Sequence, residues 1–285
     1  MRSSADMEIV AGSVRSEPTT ESAVITPARR RGKIRGAVRR AALVATAIIP
    51  FQGLKRLIYR FGFGYRIEGS AYIGIAYMDC ESLAIGRNSR VSHGAVFLGC
   101  GSVFIGENVQ IGTANLFRGG ELIELEDYSQ VMRLNIINAI PDNDCVNAPA
   151  SRFKLGYGSV ITAEHRIDFT DQVFIGRCTT FGGRNSSIWT HNRRSGMAVT
   201  IGDYCYVGSE IRMAPGTKIP DCCIVGLGSV ITKPIQEPWS LIAGVPATRR
   251  RGIKPTDAEL LFGKTRRDLP DQDYPKIPAN SVIGE

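Results

Sequence analysis

Histidine is scarce: the chain of 285 residues holds three, at positions 93, 165 and 191. An imidazole acting as a base near neutral pH is therefore one of three side chains. Cysteine numbers seven, an odd count, and no CxxC pair occurs. That pattern speaks against a structural zinc site or a disulfide framework and favours reduced thiols, several of them buried as small hydrophobes. The first 28 residues lack the basic start and apolar core of a secretory signal. The uncharged run from Ala41 to Gly53 is about 13 residues, short of the ~20 that span a bilayer. Neither a Walker loop nor a dinucleotide glycine fingerprint is present. Acidic residues are absent altogether between Glu21 and Glu68.

That acid-free stretch carries eleven basic residues: Arg29, Arg30, Arg31, Lys33, Arg35, Arg39, Arg40, Lys55, Arg56, Arg60 and Arg66. The whole chain is +8, so everything outside the stretch sums to −3. A basic character confined to one segment is a poor reason to expect nucleic-acid binding, and none is expected. Good helix formers dominate 33–48, and Pro50 breaks or kinks the chain beyond it. Residues 29–60 read either as a helical segment lying in the interface of an anionic membrane or as one packed on the main domain with its charges in water. The chain is expected in the cytoplasm, peripheral to the inner membrane face under the first reading.

At 43% hydrophobic and 22% charged, the composition excludes a fully disordered chain and a multi-span membrane protein. Glycine is in excess, 31 residues or about 11%, and proline is not, which implies many tight corners. Their placement is periodic. Ile201, Val207, Met213, Ile219, Val225 and Ile231 fall six apart, followed mostly by small or turn-prone residues such as Gly202, Gly208 and Gly226. A helix wants a period of 3.6 and an amphipathic strand wants 2. Six fits a short strand and a corner, repeated. The same phase runs upstream through Ile67, Ile73, Asp79, Ile85, Val91 and Phe97, then, with two-residue slips, through Ile105, Ile111, Phe117, Ile123, Val131 and Ile137. It returns at Leu155, Ile161, Ile167, Ile175 and Phe181, with interruptions at 138–154 and 192–198. Three hexads make an 18-residue, three-sided coil whose aliphatic residues stack inside. About twenty hexads predict six or seven coils, with Cys205 stacked on Cys223 and glycine at the corners because they need φ > 0.

The [Ile/Leu/Val]-Gly-x-x-x-x repeat over about 65–252 resembles the hexapeptide-repeat acyltransferases, whose fold is a left-handed parallel β-helix. IGDYCYVGSEIRMAPGTKIPDCCIVGLGSVITKPI and LIAGVPATRRRGI look like the closing coils of acetyl-CoA-dependent sugar O-acetyltransferases. ITAEHRIDFTDQVFIGRCTTFGGRNSSIWTHN looks like the branch that modifies capsular and exopolysaccharide glycans. The fold class is thus mainly β. It divides into a disordered tail (1–28), a basic amphipathic helical segment (29–64), the β-helix (65–252), and a cap and tail (253–285) whose short helix from Pro255 covers the open end of the coil stack.

The resemblance implies the chemistry. Acyl transfer to a hydroxyl needs a base to take its proton as oxygen attacks the thioester. In the family a histidine at a coil-to-loop exit does this, a position matched by His191 in Trp189-Thr190-His191-Asn192. His165 is a second histidine of the site or an acceptor binder; by its hexad it points inward, where a bare imidazole does not fit. His93 reads as structural or surface. Asp168, Asp171, Asn185 and, more weakly, Glu210 are open as partners that orient the base. Gly208, Ser209, Gly226, Leu227 and Gly228 would present backbone to the pantetheine arm of acetyl-CoA, with Leu227 where the family usually has Ala. Thr232, Lys233, Arg249 and Arg250 would approach its adenine and phosphates. The expected reaction is O-acetylation of a sugar or exopolysaccharide precursor in a ternary complex, by a homotrimer, with no metal. An N-acyltransferase of an amino sugar and an inactive β-helix scaffold are the alternatives. A zinc hydratase on this fold lacks its paired histidines here.

Overall fold

The structure, a computed structural model, describes residues 33–140, 151–192, 196–263, 269–270 and 274–278. The tail expected over 1–28 lies outside them. The rest is mainly β: a left-handed parallel β-helix of about eight coils with an N-terminal helical segment and a short C-terminal helix. The hexad count predicts six or seven coils, so it falls short.

Each coil has three flat faces. The first face stacks Tyr72–Ile73, Arg90–Val91, Gln110–Ile111, Gln130–Arg133, Val160–Ala163, Thr180–Arg184, Tyr206–Val207 and Ile224–Val225. The second face includes Leu116–Arg118, Ile136–Asn138, Arg166–Asp168, Ser187–Ile188, Arg212–Met213 and Val230–Ile231, and the third includes Leu122–Leu125, Arg152–Leu155, Gln172–Ile175 and Val199–Ile201. The long strands Tyr77–Ile85 and Val96–Ile105 run round a corner, so the second and third faces join into one 14-stranded sheet. All ladders between coils are parallel. The inward residues Ile73, Val91, Ile111, Val131, Ile161, Phe181 and Val207 are fully buried, each worth roughly 1.5–3 kcal/mol of transfer free energy.

Coil length is not constant. Register pairs Tyr72 with Arg90 and Tyr206 with Ile224, eighteen apart. Arg90 pairs with Gln110, and Gln110 with Gln130, twenty apart. The two-residue slips in the repeat are these larger coils. The expected hexad at Asp79 is out of phase: Met78 points inward and is buried, while Asp79 pairs with Arg39 outside.

Some corner glycines have the positive φ expected of them, Gly94, Gly158, Gly216 and Gly228 among them, but the glycine directly after an inward residue has a different cause. Gly86 follows the inward Ile85 and does not have positive φ; a Cβ on it would lie 2.5 Å from the carbonyl oxygen of Gly106, one coil on. The glycine permits close stacking of coils. Positive φ falls two residues later, on Asn88, Asn108, Tyr128, Cys178, Tyr204 and Cys222.

The small corner residues form polar ladders where the hexads are least regular. The backbone N–H of Asn135 donates to Asn115 Oδ1 at 3.0 Å, that of His165 to Asn135 Oδ1 at 3.0 Å, that of Ser186 to His165 Nδ1 at 3.1 Å, and that of Ile211 to Ser186 Oγ at 3.1 Å. Buried polar groups are thereby satisfied coil by coil. Cys205 and Cys223 stack as expected, both buried and free.

Both ends of the stack are closed. Helix α1 (Lys33–Ala47) and helix α2 (Gln52–Phe63) flank Pro50. The Gln52 amide pairs both polar groups of Ile73, donating to its carbonyl at 2.9 Å and accepting from its N–H at 3.1 Å. Buried Lys55 donates to the carbonyls of Ala47, Ile73 and Gly74 at 2.9, 3.2 and 2.8 Å. The first strand edge is thus not left open to pairing. At the other end Ala247–Gly252 folds back antiparallel onto Ser240–Gly244. That hairpin, rather than the helix from Pro255, closes the stack. Helix α3 (Ala258–Phe262) and the residues beyond it lie along the side instead: Phe262, Leu269 and Tyr274 pack on Cys178, Tyr204 and Cys222, and Tyr157 Oη donates to the Pro270 carbonyl at 2.6 Å. The edge between the third and first faces is covered by the chain itself.

Candidate active site

The edge between the second and third faces carries the irregular corners. Gly119 and Gly120, both at positive φ, widen it, and the longer insertions at 139–151 and 189–198 leave from it. Trp189, 44% exposed, and buried Thr190 bring the chain out of the prism. The Thr190 hydroxyl donates to the Asp168 carbonyl at 3.0 Å and accepts the Asp171 N–H at 3.0 Å. The Asp171 carboxylate accepts the N–H of Met197 at 2.8 Å, and the Met197 carbonyl accepts the N–H of Gly216 at 3.0 Å. Exit and return are therefore both clamped to neighbouring coils. His191 stands immediately outside the exit clamp, half-buried, on a base held to the rigid coils.

Asp168 belongs to the same corner. Its Oδ1 accepts the N–H of Thr170 at 2.8 Å. Its Oδ2 is buried with no hydrogen-bond partner among the described residues, an expensive state for a carboxylate oxygen. Asn185 is not brought there: it sits exposed at φ 60° on the edge between the first and second faces, and its carbonyl accepts from Arg212 at 2.5 Å. Glu210 lies on that edge too, and Asp171 is used by the loop clamp.

His165 is placed inside the prism, fully buried, with its ring edge-on to Phe181 at 4.7 Å between centroids. Its Nδ1 accepts from Ser186, and its Nε2 lies 3.0 Å from Thr162 Oγ1, which in turn donates to the Gly183 carbonyl at 2.6 Å. Both ring nitrogens are used, and the assigned roles fix the proton on Nε2. Burial pushes its pKa down to about 4, so it is neutral at pH 7. His93 accepts the N–H of Ile75 on Nδ1 at 3.0 Å, at the surface.

The expected donor residues are distributed over separate parts of the prism. Gly208-Ser209 and Gly226-Leu227 stack one coil apart on the edge between the first and second faces, the N–H of Gly228 donating to the Ser209 carbonyl at 2.9 Å. Leu227 is 78% exposed and projects outward. Thr232 and Lys233 are exposed on His191's edge, two coils on. Arg249 pairs with Glu237 at 2.8 Å and Arg250 donates to the Ala243 carbonyl at 2.9 Å, both in the closing hairpin. Within one chain, His191 and the Gly208–Leu227 edge are separated by the width of the second face. A groove of about 310 Å³ lined by Arg90, Gln110, Gln130 and Arg133 lies on the first face, and none of the expected site residues lines it. Among the described residues no group of three or more His, Cys, Asp or Glu side chains is arranged to hold a metal ion. Thr190, which pins this corner, is not singled out by the sequence; its signal is only that a threonine stands where other coils turn.

No family model matches the chain. The galactoside O-acetyltransferase of Escherichia coli (strain K12) is 28% identical over 114 residues, which are 39% of this chain and 56% of that protein. The chain thus matches about half the length of this curated relative. Among solved structures, the polySia specific acetyltransferase NeuO is similar with a TM-score of 0.41 at 15% identity, over 72% of this chain and 85% of that one. The UDP-N-acetylglucosamine O-acyltransferase of Moraxella catarrhalis gives a TM-score of 0.32 at 19% identity, over 68% and 75%. The six-residue repeat and the three-sided parallel coil are those of a left-handed β-helix, and over part of its length the chain is similar in sequence to the galactoside enzyme.

Proposed function

We propose that the protein is an acetyl-CoA-dependent O-acetyltransferase acting on a hydroxyl of a sugar or exopolysaccharide precursor, with His191 as general base. The observation that carries this is the His191 corner: an imidazole on a loop exit clamped through Thr190 and Asp171, Thr190 tying that exit to Asp168 of the neighbouring coil, whose Oδ2 is buried and unpartnered. A pinned backbone on either side of the base limits its wandering, which is what a near-attack geometry requires. His191 takes the acceptor hydroxyl proton as that oxygen bonds to the thioester carbonyl. When the tetrahedral intermediate collapses, the C–S bond breaks and the imidazolium returns the proton to the leaving thiolate. No covalent acyl-enzyme is needed. Asp168 is assigned the orienting role, its Oδ2 being the buried oxygen of this corner left without a partner. His165 is assigned to the polar ladder rather than to proton transfer, because both its nitrogens are engaged and burial keeps it neutral.

The donor is assigned to Gly208, Ser209, Gly226 and Leu227, with Thr232, Lys233, Arg249 and Arg250 toward its phosphate end. Since Gly208, Ser209, Gly226 and Leu227 lie on a different edge of the prism from His191, Thr232 and Lys233, a homotrimer in which His191's edge meets the Gly208–Leu227 edge of a neighbour completes the site. The galactoside relative supports a sugar acceptor. Purified protein is mixed with acetyl-CoA and a panel of sugar acceptors, and thiol release is followed. Acceptor-dependent release of free thiol with an acetylated sugar as product supports the reading. Neither CoA binding nor release with any acceptor contradicts it and favours a scaffold.

A further inference from the structure

Helices α1 and α2 close the N-terminal end of the stack in an inverted sense. The side chains turned toward the β-helix include a lysine: Lys55 and Tyr59 are buried, with Leu43 and Ala47 from α1. The side turned away is apolar. Val44, Ile48, Phe51, Leu54, Leu57 and Phe61 are all exposed, Phe51 at 72% and Phe61 at 76%. Leu54, Leu57 and Phe61 recur at i, i+3 and i+7 along α2, a single helical stripe. A contiguous surface of this kind is uncommon on a protein that meets only water. Arg40 and Arg60 are exposed on the same two helices. No acidic side chain occurs between Glu21 and Glu68 to offset them, and eleven basic residues do.

We infer that this end of the molecule docks on the surface of an anionic lipid bilayer, the α1–α2 stripe entering the headgroup boundary and the arginines meeting lipid phosphates. Two features select a bilayer. Apolar side chains flanked by Lys and Arg are what an interfacial helix needs, and among the described residues no helix is long and apolar enough to cross a membrane. A second copy on the same face would bring two acid-free basic segments together about a two-fold axis, with repulsion and no compensating charge. Docked by this end, the protein carries His191 five coil spacings from the first coil, ~24 Å along the stack at ~4.8 Å per coil.

The test uses the full chain and vesicles, with neither donor nor acceptor present, so it stands or falls apart from the acetyl-transfer reading. Co-sedimentation is measured with phosphatidylcholine vesicles and with vesicles containing phosphatidylglycerol. The expected result is binding to the anionic vesicles, at least tenfold weaker on phosphatidylcholine alone and weakened again by about 0.5 M salt. The double variant Phe51→Ser/Phe61→Ser binds at least tenfold more weakly with an unchanged melting temperature, since both side chains lie outside the core. Arg40→Glu/Arg60→Glu also weakens binding. Absence of binding to anionic vesicles, or equal binding by the apolar double variant, overturns the inference. So does a concentration-dependent dimer that the same double variant abolishes while vesicles bind neither protein.

Discussion

His165 and His191 differ in what their ring nitrogens touch. His165 is a rung in a ladder of side-chain acceptors, Asn115, Asn135, His165 and Ser186, each taking the N–H of the corner one coil on. An asparagine at 165 preserves an acceptor for Ser186. His165→Asn is therefore expected to cost under ~1.5 kcal/mol, and His165→Ala ~2–4 kcal/mol, because it leaves a buried N–H unpaired and a void; urea unfolding checks both. The same burial has a pH consequence. With a folded-state pKa of about 4 against 6.5, the unfolded chain binds the extra proton between those values. Stability is full above pH 6.5 and falls as pH drops toward 4, by about 3 kcal/mol from this group. In His165→Asn that component of the acid loss is absent. At the other corner, Asp168→Asn keeps the bond to Thr170 and removes a buried, unpaired charge. It is expected not to lower the melting temperature and to lower kcat about 10- to 100-fold.

At the scale of the coil, closeness of stacking decides which residues are tolerated. Gly86→Ala puts a methyl 2.5 Å from backbone of the next coil and is expected to cost about 1–3 kcal/mol. Asn88→Gly, two residues later at φ 57°, is expected to change stability by less than ~1 kcal/mol, because glycine enters that region freely but adds unfolded-state entropy. Thermal melts of the pair separate the two reasons a hexapeptide corner uses small residues. The coils from Ile201 onward are fully legible in the sequence, since eighteen-residue turns keep every inward residue in one phase. The twenty-residue coils are legible as slips, but their count is not, because extra residues at one edge hide a turn. The cap is misplaced for a related reason. Period six describes a coil's interior and says nothing of which edge an aromatic strip such as Tyr157, Tyr204 and Trp239 offers to the C-terminal segment. Lys55 is unreadable as a buried group: only the three carbonyls converging on it explain a lysine there. His191's loop exit is visible as a break in the repeat, whereas the Thr190–Asp168–Asp171 clamp joins neighbouring coils that sequence spacing does not align.

At the scale of the molecule, one edge of the prism is covered by the chain's own C-terminal residues, and the other two carry the two halves of the proposed site. A homotrimer of 31.0 kDa chains is expected in sedimentation velocity. If base and donor edges meet between neighbours, two defective chains complement each other. His191→Ala lacks the base, and Leu227→Trp, at an exposed position, obstructs the donor edge. Co-expressed, they form mixed trimers in which one interface is wild-type on both sides, and part of the activity returns; no recovery places the whole site within one chain. The assignment of His191 as base and His165 as ladder rung is decided by acceptor-dependent thiol release from the wild type, His191→Ala and His165→Asn, each shown to be folded by its melt. A loss of about 10²- to 10⁴-fold in kcat is expected for His191→Ala, with near wild-type turnover for His165→Asn. Turnover that survives His191→Ala, or is lost only in His165→Asn, contradicts that assignment.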